Sequence, residues 1–227
     1  MSSVKENYLQ VMEQIVKAAQ KAGRNPEEIK LVAVSKTVES ARIKEAIEAG
    51  VSILGENYVQ EAQKKIEEIG RIVSWHFIGH LQSNKAKYAV SLFDMIHSLD
   101  SISLAEELDR RAEKEGRTMN AMIEVNLSGE ATKFGAEEAR VFDIARRVLN
   151  LSHLSLVGLM TMPPYFDDPR LSRPYYIRLR ELKEKMIKEG IPLRELSMGM
   201  SNDFEIAIEE GATFVRVGTA IFGERKK

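Results

Sequence analysis

Short apolar segments alternate with longer amphipathic ones along most of the chain. Eight short segments rich in Val, Ile, Leu and Met begin at Leu31, Val51, Trp75, Met95, Ala121, Leu154, Glu195 and Thr213. Between them, apolar residues recur at helical spacing, and several of these stretches end on glycine, as helix C-termini do. The pattern therefore predicts alternating strands and helices, preceded by an N-terminal helix that ends at Gly23.

The strand segments have the composition of strands that are buried on both faces. Near-continuous apolar strands occur where helices cover both sides of a parallel sheet. The segment starts lie about 26 residues apart on average, roughly the span of one strand and one helix. This spacing predicts an α/β fold, a (β/α)8 TIM barrel with an extra N-terminal helix, as a single domain over residues 1–227.

An open, doubly wound parallel sheet is the alternative architecture. It predicts a glycine-rich turn directly after the first strand. The first segment ends with Lys36 and continues into Thr37, Val38 and Glu39, with no glycine among these residues. The barrel is therefore the better prediction.

Charge and cysteine content exclude several classes of function. The chain has 33 basic and 34 acidic residues, for a net charge of -1, and no cysteine. Dedicated nucleic-acid and anionic-membrane binders need a basic surplus, and disulfides, thiolate nucleophiles and sulfur-based zinc sites need cysteine. No apolar stretch reaches the roughly 18 residues of a membrane span, and no signal peptide is evident. We expect a cytoplasmic protein with no nucleic-acid or membrane partner.

Lysine and arginine are almost absent from the strand segments. Random placement would put about eight of the 33 basic residues there, whereas Lys36 and Arg216 are the two that the segments contain. A basic side chain on a strand buried on both faces costs several kcal/mol unless it is paired or functional. These two residues are therefore candidates for function.

Lys36 stands at the end of the first predicted strand, in phase with Val32 and Val34. The C-terminal ends of barrel strands carry the active site, and partial burial there lowers the pKa of a lysine and makes its amine a nucleophile toward carbonyls. The alternative is a lysine whose stem leaves the strand and whose amine reaches solvent. Position alone leaves both interpretations open.

Arg216 lies in the middle of the last predicted strand, in phase with Phe214 and Gly218. One interpretation is a permanently charged donor that points at a ligand above it. The other is an ion pair inside the barrel with Glu56 or Glu124.

A phosphate site is expected between the last two predicted strands. Barrels frequently bind phosphate between the loops after strands seven and eight, where this chain has Ser201, Gly218 and Thr219. The glycine would let a ligand approach the backbone, and the hydroxyls add donors. The alternative is ordinary helix capping by Asn202 with Glu205 three residues later.

One loop and one pair of histidines do not yet indicate a function. The loop over residues 162–174 is either a lid or a plain exposed loop. His76 and His80 lack the third ligand that a metal site needs, so we expect no metal.

An amine, a fixed cation and a phosphate site on neighbouring strands outline one ligand. Pyridoxal 5'-phosphate fits, with its aldehyde on Lys36 as a Schiff base, its ring nitrogen at Arg216 and its phosphate at the loops of strands seven and eight. A sugar-phosphate aldolase that works through a Schiff base is the competing interpretation.

Several long motifs then resemble one family along essentially the whole chain. They are AVSKT, GENYVQEA, WHFIGHLQSNK, VNLSGEATKFG, GLMTM and LSMGMSNDFEIAIEEGATFVRVGTAIFG. The sequence is similar to the pyridoxal phosphate homeostasis protein family, single-domain relatives of the alanine racemase N-terminal barrel. The resemblance implies that Lys36 is the cofactor lysine and that Arg216 meets the pyridine nitrogen. It implies further cofactor contacts from Asn57, Ser201, Gly218 and Thr219.

The same residues argue against robust catalysis. A guanidinium donates to the ring nitrogen and leaves it unprotonated, which weakens the ring as an electron sink. The racemases that this chain resembles use a tyrosine of a second domain, whereas this chain ends at Lys227, soon after its last motif. We expect a monomeric carrier of pyridoxal phosphate in intracellular cofactor homeostasis, with recipient apoenzymes as further partners. The alternative is a small pyridoxal-phosphate-dependent amino acid racemase.

Overall fold

The computed structural model describes residues 3–130 and 132–224, and the ends of the predicted 1–227 domain lie outside this range. The strands of the described part are β1 (Lys30–Val34), β2 (Ile53–Glu56), β3 (Ser74–Phe77), β4 (Met95–Leu99), β5 (Met119–Asn126), β6 (Ala136–Glu137), β7 (Leu154–Met160), β8 (Glu195–Ser197) and β9 (Phe214–Val217). All the pairings are parallel. They run β4-β3-β2-β1-β9-β8-β7-β5, and β4 also pairs with β5. That last pairing closes the barrel.

Helices follow the strands and cover the outside of the barrel. In the described residues they are α1 (Val4–Lys21), α2 (Ser40–Glu48), α3 (Val59–Ile69), α4 (Ala86–Leu92), α5 (Ile102–Lys114), α6 (Val141–Val148), α7 (Arg173–Lys188), α8 (Phe204–Glu209) and α9 (Thr219–Phe222). No helix of this part of the chain is long and apolar enough to cross a membrane.

The predicted barrel is confirmed, and its eight strands each begin within two residues of the predicted positions. Two details differ. The amphipathic stretch from Ala136 opens as the two-residue strand β6, because Ala136 pairs with Val125 at the end of β5. The first strand also starts earlier and includes Lys30, whose exposed amine pairs with Glu195 at 2.8 Å.

The N-terminal helix α1 packs against α8 and α9, the last two helices of the described residues. It starts with a capping box, in which Ser3 and Glu6 each accept a hydrogen bond from the other's backbone N–H, as is typical of stable helix N-termini. On α1, the Asn7 amide donates to the carbonyl of Ile221 in α9 at 3.0 Å. This contact fixes α9 beside the last strand.

Apolar side chains form two separate clusters. The larger one lies between the strands and the helices, and the smaller one lies inside the barrel. The inner cluster consists of Val32, Met122, Val157, Met160 and Phe214. Phe214 of this cluster precedes Arg216 by two residues on β9, so the apolar side chains fill the interior on the amino-terminal side of Arg216.

Candidate cofactor site

A cavity of about 240 Å³ lies at the carboxyl ends of β1, β2, β8 and β9. Its lining includes all six residues that the sequence predicts as cofactor contacts: Lys36, Asn57, Ser201, Arg216, Gly218 and Thr219. They come from four separate stretches of the chain, and the closed barrel brings them together. The cavity therefore combines an amine, an amide, a guanidinium and hydroxyl and backbone donors.

Arg216 is held inside the barrel by neutral partners. Its side chain donates to Ser197 Oγ at 2.7 Å and to the carbonyl oxygen of Thr161 at 2.9 Å, and the residue is only 4% exposed. The two predicted ion-pair partners are placed differently. Glu56 pairs with Lys65 at 2.8 Å, and Glu124 acts on Arg216 only through its charge. The interpretation of Arg216 as one half of a direct ion pair with these carboxylates is therefore wrong.

A chain of hydrogen bonds continues below Arg216. Ser197 Oγ lies 2.9 Å from His97 Nδ1, and His97 Nε2 lies 2.9 Å from His76 Nδ1. Burial lowers the pKa of His76 to about 4 and lowers that of His97 well below its ordinary value. Both rings are therefore neutral near pH 7, and they support Arg216 without adding a second positive charge.

The hydroxyl of Ser201 connects the loops after β8 and β9. Ser201 Oγ accepts hydrogen bonds from the backbone N–H of Gly218 at 3.2 Å and of Ala220 at 3.4 Å. A Cβ on Gly218 would lie 3.3 Å from both the Cβ and the carbonyl oxygen of Val34. Glycine is therefore favoured here by the close packing of β9 against β1 as well as by access to the cavity.

Asn202 does not cap the helix that follows it. The α8 helix begins at Phe204 with Asp203 before it, and the amide of Asn202 donates to the carbonyl of Phe166 at 3.1 Å. Phe166 belongs to the loop over residues 162–174, and it lines the cavity together with Met162, Pro164 and Tyr165 of the same loop. The loop forms one wall of the cavity, and Asn202 connects it to the segment between β8 and α8.

A second cavity, of about 520 Å³, shares Asn57, Ile78 and Met162 with the first. His80 lies in its wall, where its ring stacks on that of Phe134 at a centroid distance of 4.0 Å. Glu124 lines the same space. Burial raises the pKa of Glu124 to about 7, although the charge of Arg216 opposes the shift.

The raised pKa of Glu124 makes stability depend on pH. Because the carboxyl binds its proton more tightly in the folded state, wild-type stability should fall as the pH rises from the ordinary value of 4.5 to about 7. Glu124→Gln removes this titration. Relative to that variant, the wild type should lose about 3 kcal/mol of unfolding free energy between pH 4.5 and 8. Urea denaturation of both proteins across that range checks this, and parallel pH profiles would contradict it.

Sequence reasoning missed one buried cation beside Lys36. Lys65 lies on α3 and is 6% exposed, whereas the scarcity of basic residues that distinguishes Lys36 and Arg216 is a property of the strand segments alone. A signal was available, because Lys65 follows Ala62 by three residues and precedes Ile69 by four, on the apolar face of the helix.

The closed parallel barrel places this chain in the class of barrels that includes the alanine racemases. The sequence profile described as "Alanine racemase, N-terminal domain" matches residues 7–226. Alanine racemase from Corynebacterium glutamicum has the same fold, with a TM-score of 0.75 at 18% identity over 98% of this chain and 61% of that one.

More similar proteins identify the branch of this class. The chain is 46% identical over 223 residues to "Pyridoxal phosphate homeostasis protein" of Aquifex aeolicus, covering 97% of this chain and 98% of the relative. It is 41% identical over 236 residues to the protein of the same name in Escherichia coli K12, covering 99% and 98%. The chain belongs to the pyridoxal phosphate homeostasis protein family.

Solved structures agree with this assignment. A protein of unknown function from Bifidobacterium adolescentis superposes with a TM-score of 0.91 at 38% identity, covering 96% of this chain and 94% of that one. PipY of Synechococcus elongatus, in a structure described as having pyridoxal phosphate bound, superposes with a TM-score of 0.82 at 37% identity, covering 92% and 100%.

Proposed function

We propose that this chain binds pyridoxal 5'-phosphate as a Schiff base on Lys36 and serves intracellular cofactor homeostasis. The observation that carries the proposal is the single cavity that all six predicted contacts line. In this proposal the whole chain, residues 1–227, is one cytoplasmic cofactor-binding domain. It acts as a monomer that holds the cofactor and passes it to recipient apoenzymes.

The lining residues fit the chemistry of this cofactor. Asn57 Oδ1 is buried and has no hydrogen-bond partner in the described residues, so a polar group of a ligand would satisfy it. The hydroxyl groups of Ser201 and Thr219, beside Gly218, suit a phosphate as hydrogen-bond donors. The guanidinium of Arg216 suits an acceptor such as a pyridine nitrogen. Condensation of the Lys36 amine with the aldehyde forms a C=N bond and releases one water.

The environment of Arg216 supports retention of the cofactor more than catalysis. Bound pyridoxal phosphate supplies an electron sink for carbanions, and the sink is strongest when the ring nitrogen is protonated. A guanidinium can only donate, so Arg216 would leave that nitrogen unprotonated. Burial lowers the pKa of Arg216, but the negative charges of Glu124 and Asp203 oppose this shift. The side chain therefore remains a donor.

Ligand titration and isotope exchange test this function. Addition of pyridoxal phosphate to the purified chain should produce a visible absorbance band, and borohydride should bleach it. Deuterium exchange at the α-carbon of a panel of amino acids should not exceed that of the cofactor alone. Exchange well above that level would favour the racemase alternative. Trapping of a sugar phosphate by borohydride would favour an aldolase, and the absence of any binding would remove the proposal.

Replacement of Arg216 by leucine should weaken cofactor binding by roughly 10- to 100-fold, the range expected for loss of a hydrogen bond from a charged group. Titration followed by absorbance measures the change. Arg147→Leu is the matched control, because Arg147 lies on α6 and pairs with Glu106 on the surface. Equal affinities of Arg216→Leu and the wild type would exclude a contact between Arg216 and the cofactor.

A further inference from the structure

The residues on both sides of Lys36 form a tight turn. The backbone N–H of Val38 donates to the carbonyl of Ser35 at 3.0 Å, so Lys36 and Thr37 are the two central residues of the turn. Thr37 has a φ of 62°. A left-handed residue at the second central position is what a type II turn requires, and glycine or asparagine normally occupies it. A β-branched residue there is strained and needs support from its surroundings.

That support comes from the helix α3. The backbone N–H of Thr37 donates to Glu61 Oε1 at 2.5 Å. The same carboxylate oxygen accepts a hydrogen bond from Lys65 Nζ at 2.7 Å. Glu61 and Lys65 lie one helical turn apart, so a single face of α3 reaches the turn.

Lys65 reaches the other side of Lys36 as well. Its amine donates to the carbonyl of Ser35 at 2.5 Å and to Glu56 Oε1 at 2.8 Å. The hydroxyl of Ser35 donates to the same Glu56 oxygen at 2.6 Å. The residue before Lys36 and the residue after it are therefore both held by one buried cluster of charges.

We propose that Glu61 and Lys65 are positioning residues, which hold the strained turn of Ser35 and Thr37 and thereby direct the Lys36 amine into the cofactor cavity. This inference rests on the proposed function of Lys36. Two fixed neighbours fix the direction of the Cα–Cβ bond between them, and orientation of a reacting group lowers the entropic barrier to bond formation. The cluster acts on Lys36 through the backbone and does not line the cavity itself.

Glu61→Ala tests the positioning role most directly. It removes the acceptor of the Thr37 N–H and leaves the buried ion pair between Lys65 and Glu56 in place. The rate constant for appearance of the pyridoxal phosphate absorbance band should fall roughly 10-fold. Thermal denaturation of the cofactor-free protein should show that the variant is folded. Glu67→Ala is the matched control on the same helix, because Glu67 is exposed and accepts a hydrogen bond from Gln63. It should react at the wild-type rate.

A second substitution separates positioning from general support of the fold. Glycine adopts the left-handed conformation without strain. Adding Thr37→Gly to Glu61→Ala should therefore restore most of the lost rate, whereas a purely structural or electrostatic role of Glu61 predicts no such rescue. Glu61→Ala at the wild-type rate, or a double variant as slow as Glu61→Ala, would overturn the inference.

The wild-type protein distinguishes this failure from a failure of the proposed function. If the wild type forms no borohydride-reducible adduct on Lys36, both the proposed function and the positioning inference fail. If the wild type forms the adduct and the variants form it at the wild-type rate, only the positioning inference fails.

Discussion

Replacement of Lys36 by alanine should abolish covalent retention of pyridoxal phosphate and leave only weak, reversible binding. Arg216, Ser201, Gly218 and Thr219 still line the cavity in the variant, and their proposed contacts should still allow the cofactor to enter. Loss of the C=N bond should raise the dissociation constant by at least about 100-fold, or about 2.7 kcal/mol. The fraction of cofactor that stays with the protein after borohydride treatment and denaturing gel filtration measures the effect.

Lys85→Ala is the control for this experiment. Lys85 lines the neighbouring cavity of about 520 Å³, so it is a lysine that could capture the aldehyde if Lys36 were not the attachment point. The Lys85→Ala variant should retain the cofactor as the wild type does. Retention of the adduct by Lys36→Ala, or its loss from Lys85→Ala, would contradict the assignment.

Replacement of Lys65 by methionine should lower the unfolding free energy of the cofactor-free protein by about 3 to 5 kcal/mol, the usual cost of breaking a buried ion pair. Methionine fills a similar volume, but it leaves Glu56 without its cation in a position that is 0% exposed. Burial already raises the pKa of Glu56, while Lys65 opposes the shift. Without Lys65 that pKa should rise further. Because a raised folded-state pKa makes stability fall as pH increases above the unfolded value, the loss should be larger at pH 8 than at pH 5.

A double variant tests whether the unpaired charge causes this loss. Adding Glu56→Gln to Lys65→Met removes the charge and keeps an oxygen that can accept from Ser35, so most of the lost stability should return. Lys64→Met, at the adjacent exposed position, should change stability by less than about 0.5 kcal/mol. Urea denaturation provides all these values. A cost of Lys65→Met below about 1 kcal/mol would mean that water reaches the cluster and screens it.

The barrel could be predicted from the sequence because its signals are local. A strand buried on both faces must be apolar along its whole length, and this shows in each segment separately. The same rule made Lys36 and Arg216 visible as exceptions within the predicted strand segments, although β1 ends at Val34 and Lys36 lies in the turn that follows. In the closed barrel, β1 and β9 are neighbours. This pairing brings the Lys36 amine close to the loops after β8 and β9.

The features that could not be predicted depend on contacts between distant parts of the chain. The partners of Arg216 are one example, because a carboxylate was the simplest expectation, and the observed acceptors are the hydroxyl oxygen of Ser197 and the carbonyl oxygen of Thr161. The left-handed conformation of Thr37 is another, since a threonine carries no local signal for a positive φ. Its backbone N–H donates to Glu61 on α3, a contact between parts of the chain that are 24 residues apart. Asn202 likewise binds the loop carbonyl of Phe166, although its spacing to Glu205 suggested a capping box.

The most direct test of cofactor attachment to Lys36 is the mass of the peptide that contains this residue. The wild-type protein is incubated with pyridoxal phosphate, reduced with borohydride and digested, and the peptides are measured by mass spectrometry. If the Lys36 amine binds the cofactor, the peptide containing Lys36 should gain the mass of one reduced pyridoxyl phosphate group, and fragmentation should locate that group on the Lys36 side chain. A modification on another lysine, or an unmodified Lys36 peptide from cofactor-saturated protein, would contradict it.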